Sequence, residues 1–331
     1  MKEREVVFLA HELHGKVEET HISWVILTRR FVYKIKKPLR LSFLDFSSLR
    51  KRRMFCEREI VLNKRFTDIY VSVVPIRSSK NKYIMGGVDG KVVDYTVKMK
   101  RMSTARRMDK MLEADEVNGD LIVSLANTIA AAHRQCEPVY KPFKIAEAKA
   151  LFNDILHYES IIIRSTDVAY ADVLRDCIRW SNGFLRSYQK RLQERITCGY
   201  QRDVHGDLHT GNIFLYQNPV IFDCIEFNDA FRQIDVLYEI AYLCMDLEAY
   251  GKKDLSDKLL SKYNSEFSTF EVKEDEAILN YFKSLRANIR VKVHALAISQ
   301  VENDNEFAFH ADQLLKYLHL MADYSLSDKT L

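Results

Sequence analysis

Residues 204–212 read Val-His-Gly-Asp-Leu-His-Thr-Gly-Asn, and the run IFLYQNPVIFD that follows ends at Asp223. Asp207 and Asn212 are five positions apart, and Asp223 comes sixteen after Asp207. These residue types suit transfer of a phosphoryl group to a hydroxyl. That chemistry needs a carboxylate to accept the hydroxyl proton and oxygen ligands to hold Mg²⁺ against phosphates. In this reading Asp207 orients or deprotonates the acceptor, and Asn212 and Asp223 are the metal ligands.

A loop of the form H-x-D-x-x-x-x-N, a short hairpin and a further Asp form the layout of a protein-kinase-type phosphotransfer site. Such a site also requires a strand lysine facing the nucleotide phosphates and a helix glutamate to hold it. Within FVYKIK, Val32, Lys34 and Lys36 share one face. The residue two before the lysine should be small and apolar, because it roofs the adenine. Lys34 has Val32 there, whereas Lys36 has Lys34, so Lys34 is the candidate. On the following helix Phe55, Glu59, Leu62 and Phe66 fall on one stripe. A carboxylate inside an apolar stripe needs a partner. Glu59 is therefore selected over Glu57, which lies nearer Arg53, Ile60 and Lys64.

The elements that must position these groups can be read coarsely. Ile22–Leu27 and Phe31–Lys36 are β-rich and flank Thr28-Arg29-Arg30, a tight hairpin. Asp45-Phe46-Ser47-Ser48 offers N-cap chemistry before a helix to about Phe66. Val71–Ile76, a short strand within Ser78–Gly90, and Val92–Arg101 continue the β pattern. After Met102 helical periods take over, at Leu121–His133, Ile145–His157, Val168–Gln193 and Asp229–Leu247. A β-rich island, Ile213–Tyr216 and Val220–Asp223, turns at Gln217-Asn218-Pro219. Helices near Leu255–Phe267, Asp275–Val301 and Phe307–Tyr324 follow. The fold class expected is α+β, with a small β-rich lobe over 1–102 that binds nucleotide and a larger, mainly helical lobe over 103–331 that carries the catalytic loop and the acceptor site.

The 331 residues are 47% apolar and 29% charged, the composition of an ordinary globular protein and too balanced for disorder or a disulfide miniprotein. No stretch approaches the roughly 20 apolar residues of a membrane span, and VVFLA is too short for a secretory core. The six cysteines are scattered without a C-x-x-C pair, as expected of reduced thiols in a cytoplasmic protein. Net charge is only +4, yet Arg29–Arg65 holds thirteen Lys/Arg against three acids, a local +10. That segment admits a phosphate site, a solvated face or a nucleic-acid footprint. Aromatic residues do not interleave with it as a stacking platform would require, which argues against nucleic acid. His205 and His209 with Cys198 and Cys224 match no standard zinc spacing, and the further Asp/His motifs of a metallophosphatase do not follow Asp207.

The sequence resembles the aminoglycoside phosphotransferase-like family of small-molecule kinases, and within it an uncharacterised bacterial branch. The segments ETHISWV, VYKIKKP, FLDF, CEREIVLNKR, VKMKR, HGDLHTGNI and FDCIEFNDAFRQID carry the resemblance from Glu19 to Asp235. It implies a protein-kinase-like two-lobed fold with ATP and Mg²⁺ between the lobes. It also implies that Val32, Lys34, Glu59, Phe214 and the link Met99, Lys100, Arg101 and Met102 contact or position the nucleotide. His205 would support the site, and Asp235 would be the helix Asp that braces the catalytic loop. Three features depart from protein kinases. Glu19-Thr20-His21-Ile22-Ser23 stands where a G-x-G-x-x-G loop would be, Asp223 is followed by Cys224-Ile225, and no A-P-E segment follows. The last two argue against phosphorylation-controlled protein kinases.

Lys283, Arg286, Arg290 and His294 step along one late helix beside an apolar stripe. A solvated face is the default for such a stripe. The alternative is an acceptor pocket for an anionic substrate, since this family places its acceptor among late helices, and a basic stripe suits a polycationic aminoglycoside poorly. The expected function is thus ATP- and Mg²⁺-dependent transfer of the γ-phosphoryl group to a hydroxyl of an unidentified small molecule. The alternative is a kinase-like scaffold that binds nucleic acid or regulates without catalysis.

Overall fold

A computed structural model describes residues 1–41, 43–79, 82–301 and 303–327. Lys80 and Asn81, in the turn expected ahead of the short strand, lie outside the described residues, as do 328–331 at the far end of the expected second lobe. The chain divides into two compact units. One comprises Met1–Ala114, His205–Asp207 and Gly211–Arg232; the other comprises Asp115–Val204, Leu208–Thr210 and Gln233–Leu331. Most of the 205–223 segment thus belongs with the N-terminal residues.

The first unit contains α1 (Glu3–Glu12), β1 (Lys16–Glu19), β2 (Ser23–Leu27), β3 (Phe31–Lys36), the short pair β4 (Arg40–Leu41) and β5 (Leu44–Asp45), α2 (Leu49–Asn63), β6 (Tyr70–Ser79), β7 (Lys82–Met85), β8 (Lys91–Lys100) and α3 (Met108–Glu113). Six strands form one antiparallel sheet in the order β1-β2-β3-β8-β6-β7. The β-rich runs that flank Thr28-Arg29-Arg30 do become a hairpin, with Thr28 Oγ1 closing its turn by donating to the Phe31 carbonyl at 2.8 Å. Ser48 caps α2 by accepting the Lys51 amide. The buried face of α2 is Arg52, Cys56, Glu59, Ile60 and Asn63. This face is rotated from the Phe55–Leu62–Phe66 stripe, but Glu59 belongs to both. An apolar cluster of Cys56, Ile60, Ile69, Tyr70, Val97 and Met99 fixes α2 on the sheet, with Val32, Met102, Val220 and Phe222 packed against it.

The second unit is helical: α4 (Gly119–Gln135), α5 (Ile145–Asn153), α6 (Glu159–Ser165), α7 (Tyr170–Ser187) and α8 (Gln189–Thr197) precede β9 (Gln201–Asp203). The hairpin β10 (Ile213–Phe214) and β11 (Val220–Ile221) returns to the first unit. Then β12 (Gln233–Asp235), α9 (Val236–Ala249), α10 (Lys253–Glu266), α11 (Glu274–Ile298) and α12 (Asp304–Ser327) complete the second. Two expected helices are shorter than their periodicity suggested. Val168–Gln193 breaks between α7 and α8, and Asp229–Leu247 begins only at Val236, because 233–235 pair with β9 as a strand. Among the described residues no helix is long and apolar enough to cross a membrane. All six cysteines are thiols, five of them buried.

Candidate active site

The first unit gathers the expected charged residues. Lys34 Nζ lies 3.0 Å from Glu59 Oε1 and 2.5 Å from Asp223 Oδ1. Burial opposes the charge on Lys34, but Asp223, Glu59 and Glu226 outweigh it and hold the ammonium well above its ordinary pKa. Glu59 is fully buried and its other oxygen, Oε2, accepts from Lys36 Nζ at 2.7 Å. Burial raises the Glu59 carboxyl, yet Lys34 and Lys36 overcome this and bring it down to about 2. Lys36 also donates to buried Glu226, whose carboxyl is held up chiefly by burial despite that lysine. The reasoning that selected Lys34 is thus compatible with the geometry, but it left out Lys36 and Glu226, which complete the ion cluster. No spacing rule identifies Glu226; only its position three residues past Asp223 hints at it.

Asp223 is fixed by its backbone as much as by Lys34. It adopts φ +66°, in the left-handed region that only a few non-glycine residues, Asp and Asn among them, adopt. Its amide donates to the Tyr70 hydroxyl at 3.0 Å. The next amide, of Cys224, donates to Asn63 Oδ1 at 2.9 Å, while Asn63 Nδ2 donates to the Glu59 carbonyl. The C-terminal turn of α2 therefore sets both Glu59 and the backbone at Asp223.

The 205–212 loop joins the same group through Phe222. The Phe222 amide donates to the Asn212 carbonyl at 3.1 Å, and His205 Nε2 lies 2.9 Å from the Phe222 carbonyl. The Asp207 amide donates to His205 Nδ1 at 3.3 Å. These two bonds call for a neutral imidazole with its proton on Nε2. Asn212 Nδ2 donates to both the Asp207 carbonyl and Asp207 Oδ2, at 3.0 and 3.1 Å. Gly206 has φ +89°, and an added Cβ would meet the Phe231 carbonyl at 2.7 Å, so this turn needs glycine. Asp207, Asn212 and Asp223 are thereby brought into one hydrogen-bonded group with Lys34.

The residues fit a magnesium ion. Asn212 donates through Nδ2, and Asp223 meets Lys34 through Oδ1. Among the described residues Asn212 Oδ1 and Asp223 Oδ2 accept no hydrogen bond. Two oxygen donors, with phosphate and water completing the shell, are the usual protein share of an Mg²⁺ site.

The expected nucleotide contacts form one apolar surface in part. Met99 belongs to the buried cluster on α2, Val32, Met102 and Phe222 pack against that cluster, and Phe214 stacks on Phe222 with ring centroids 4.8 Å apart. Lys100 instead pairs with Asp68, and Arg101 donates to the Thr28 carbonyl, so both side chains are occupied within the sheet. In place of a glycine-rich loop, the turn between β1 and β2 is closed by Thr20. Its Oγ1 donates to the Ser23 carbonyl and accepts the Ser23 amide, both at 3.0 Å.

Two expectations for the second unit need correction. Asp235 is not in a helix bracing the loop. It caps α9 through the Leu237 amide and pairs with buried Arg195 at 2.7 and 2.9 Å. The brace is Asp246, whose Oδ2 accepts the Thr210 amide at 2.9 Å and the Thr210 hydroxyl at 2.6 Å. Nor is the α11 stripe a solvated face. Lys283, Arg286 and His294 are buried. Lys283 pairs with Glu248 at 2.6 Å, and Arg286 lies over the rings of Tyr238 and Tyr242.

The local +10 also changes meaning in three dimensions. Eight of its cations (Lys34, Lys36, Lys37, Arg40, Lys51, Arg52, Arg53 and Arg58) meet carboxylates. Five of those carboxylates, Glu19, Asp94, Asp223, Glu226 and Asp229, lie outside the segment. Counting along the chain had left them out.

No family model matches the chain. Uncharacterised proteins of Mycobacterium tuberculosis and Mycobacterium bovis are 26% identical to it over 289 residues, covering 86% of the chain. The chain spans about half, 55%, of the length of these relatives. Among solved structures, it resembles a choline kinase from Cryptosporidium parvum with a TM-score of 0.52 at 12% identity, covering 96% of this chain and 90% of that one. A choline/ethanolamine kinase family protein from Mesorhizobium loti gives 0.51 at 13% identity, covering 95% and 92%. A single-residue variant of aminoglycoside 2'-phosphotransferase-IIIa with GDP gives 0.50 at 14%, covering 99% and 98%. The chain therefore has the α+β, kinase-like fold of the aminoglycoside phosphotransferases and choline kinases, with an antiparallel sheet in its N-terminal part and helices in its C-terminal part.

Proposed function

We propose that this protein is an ATP- and Mg²⁺-dependent phosphotransferase that moves the γ-phosphoryl group to a hydroxyl of a small molecule. The observation that carries this reading is the convergence on Asp223. Lys34 holds one of its oxygens, and the loop bearing Asp207 and Asn212 is bonded to the residue before it. Asn212 and Asp223 would hold Mg²⁺, which would neutralise charge at the phosphates. Lys34, kept charged and aimed by Glu59, binds phosphate oxygens. Val32, Met99, Met102 and Phe214 offer the apolar surface for the base. Asp207, whose Oδ2 is oriented by the Asn212 amide, accepts the proton of the acceptor hydroxyl as its oxygen bonds the γ-phosphorus and the bond from that phosphorus to the β–γ bridging oxygen breaks, releasing ADP. A small-molecule acceptor agrees with the fold shared with choline kinases and aminoglycoside phosphotransferases. A nucleic-acid-binding scaffold is less well supported, because most of the basic segment is already neutralised by its own chain.

Calorimetric titration of ATP with Mg²⁺ tests the reading. Micromolar binding, about −8 kcal/mol, that weakens sharply in Asp223→Asn is expected. Folded wild-type protein that binds no nucleotide would overturn it.

A further inference from the structure

The α11 stripe loses Lys283 and Arg286 to internal partners, but Arg290 stands differently. Its guanidinium lies 5.1 Å from the Tyr317 ring centroid, and its Nε is buried with no hydrogen-bond acceptor. From α12, Lys316 Nζ approaches the same ring at 5.3 Å. Among the described residues neither cation makes an ion pair. The nearby carboxylate, Asp246, whose Oδ2 takes the Thr210 amide and hydroxyl and whose Oδ1 accepts from Tyr317 at 3.4 Å, sets one negative charge beside these two cations. His294, stacked on Tyr317 and 3.3 Å from Arg290, adds no negative charge. Two half-buried like charges about one aromatic ring repel each other and lose hydration. An anion resolves both costs, and Arg offers the planar fork that a phosphate or carboxylate accepts. Thr210, which the same Asp246 holds, belongs to the same unit.

We propose that Arg290 and Lys316 form a subsite for an anionic group, a phosphate or a carboxylate, on the hydroxylated small molecule that this protein phosphorylates. This rests on the phosphotransferase reading for its purpose, though not for the binding itself. It goes further than a basic stripe on one helix: it assigns one residue of that stripe and adds a second from α12.

The test is calorimetric titration of inorganic phosphate, and separately of acetate, at low ionic strength into wild type, Lys316→Gln, Lys316→Arg and Arg290→Gln. Anion binding should weaken about tenfold in each Gln variant and survive in Lys316→Arg. The tighter of the two anions identifies the group recognised. Lys316 is partly exposed, so its variants keep the test available if Arg290→Gln fails to fold. No anion binding by wild type, or equal binding in Lys316→Gln, would overturn the subsite. A parallel MgATP titration separates the two readings. Nucleotide binding without anion binding removes only the subsite, whereas anion binding without nucleotide binding removes only the phosphotransferase.

Discussion

Lys36 Nζ lies 2.7 Å from Glu59 Oε2, so the carboxylate that faces Lys34 is shared with a second lysine from the same strand face. Both partners are fully buried, and Lys36 also neutralises Glu226. Removing one member of such a group leaves uncompensated charge in a dry interior. Lys36→Met should cost about 3–5 kcal/mol in urea unfolding. The double variant Lys36→Met with Glu226→Gln should lose less than the sum of the two single losses. Simple additivity would mean that the two residues are not coupled.

Asp207→Asn keeps the size of the side chain but removes the carboxylate proposed as the proton acceptor. Phosphoryl transfer, followed as ADP release in single turnover, should fall by about 10²–10⁴-fold, while MgATP affinity stays near wild type. Near-wild-type transfer would exclude the role assigned to Asp207.

Gly206→Ala puts a Cβ 2.7 Å from the Phe231 carbonyl at φ +89°. The clash is with backbone, so no rotamer change relieves it. A loss of about 1–3 kcal/mol is expected in thermal or urea unfolding. A variant as stable as wild type would show that the turn can rearrange.

His294 gives the second unit a pH dependence. Burial, Arg290, His310 and Lys316 push its pKa from 6.5 down to about 3. The folded state therefore holds it neutral while the unfolded chain takes up a proton. Stability from this group is complete above pH 6.5 and is lost progressively as the pH falls toward 3. Urea midpoints of wild type should drop over that window, and His294→Gln should show a shallower slope. Parallel slopes would place the acid sensitivity elsewhere.

Much of this was legible in the residues. The H-x-D-x-x-x-x-N spacing, the β2–β3 hairpin and the Lys34–Glu59 pairing follow from local period and side-chain chemistry, which act over a few residues. What was not legible depends on long-range closure. Asp246 and Lys316 carry no motif, and Glu226 lies in FDCIEFNDAFRQID with no role assigned to it; each becomes meaningful only when a distant segment meets it. The helix expected from Asp229 failed for the same reason. Residues 233–235 have helical periodicity, but pairing with β9 satisfies their backbone instead. The stripe on α11 was visible as a pattern, yet its partners Glu248, Tyr238 and Tyr317 were not.

The ion cluster also sets an order of arrival. Lys34 and Lys36 face Asp223, Glu59 and Glu226, two positive groups against three that are formally negative. A bare polyphosphate entering there would meet a surplus of its own sign and would have to take Lys34 from Asp223. Accompanied by a divalent cation, it brings the charge that Asp223 gives up. On the proposed reading, nucleotide and metal therefore enter as one species, and chelating the metal should abolish nucleotide binding rather than only slow the reaction.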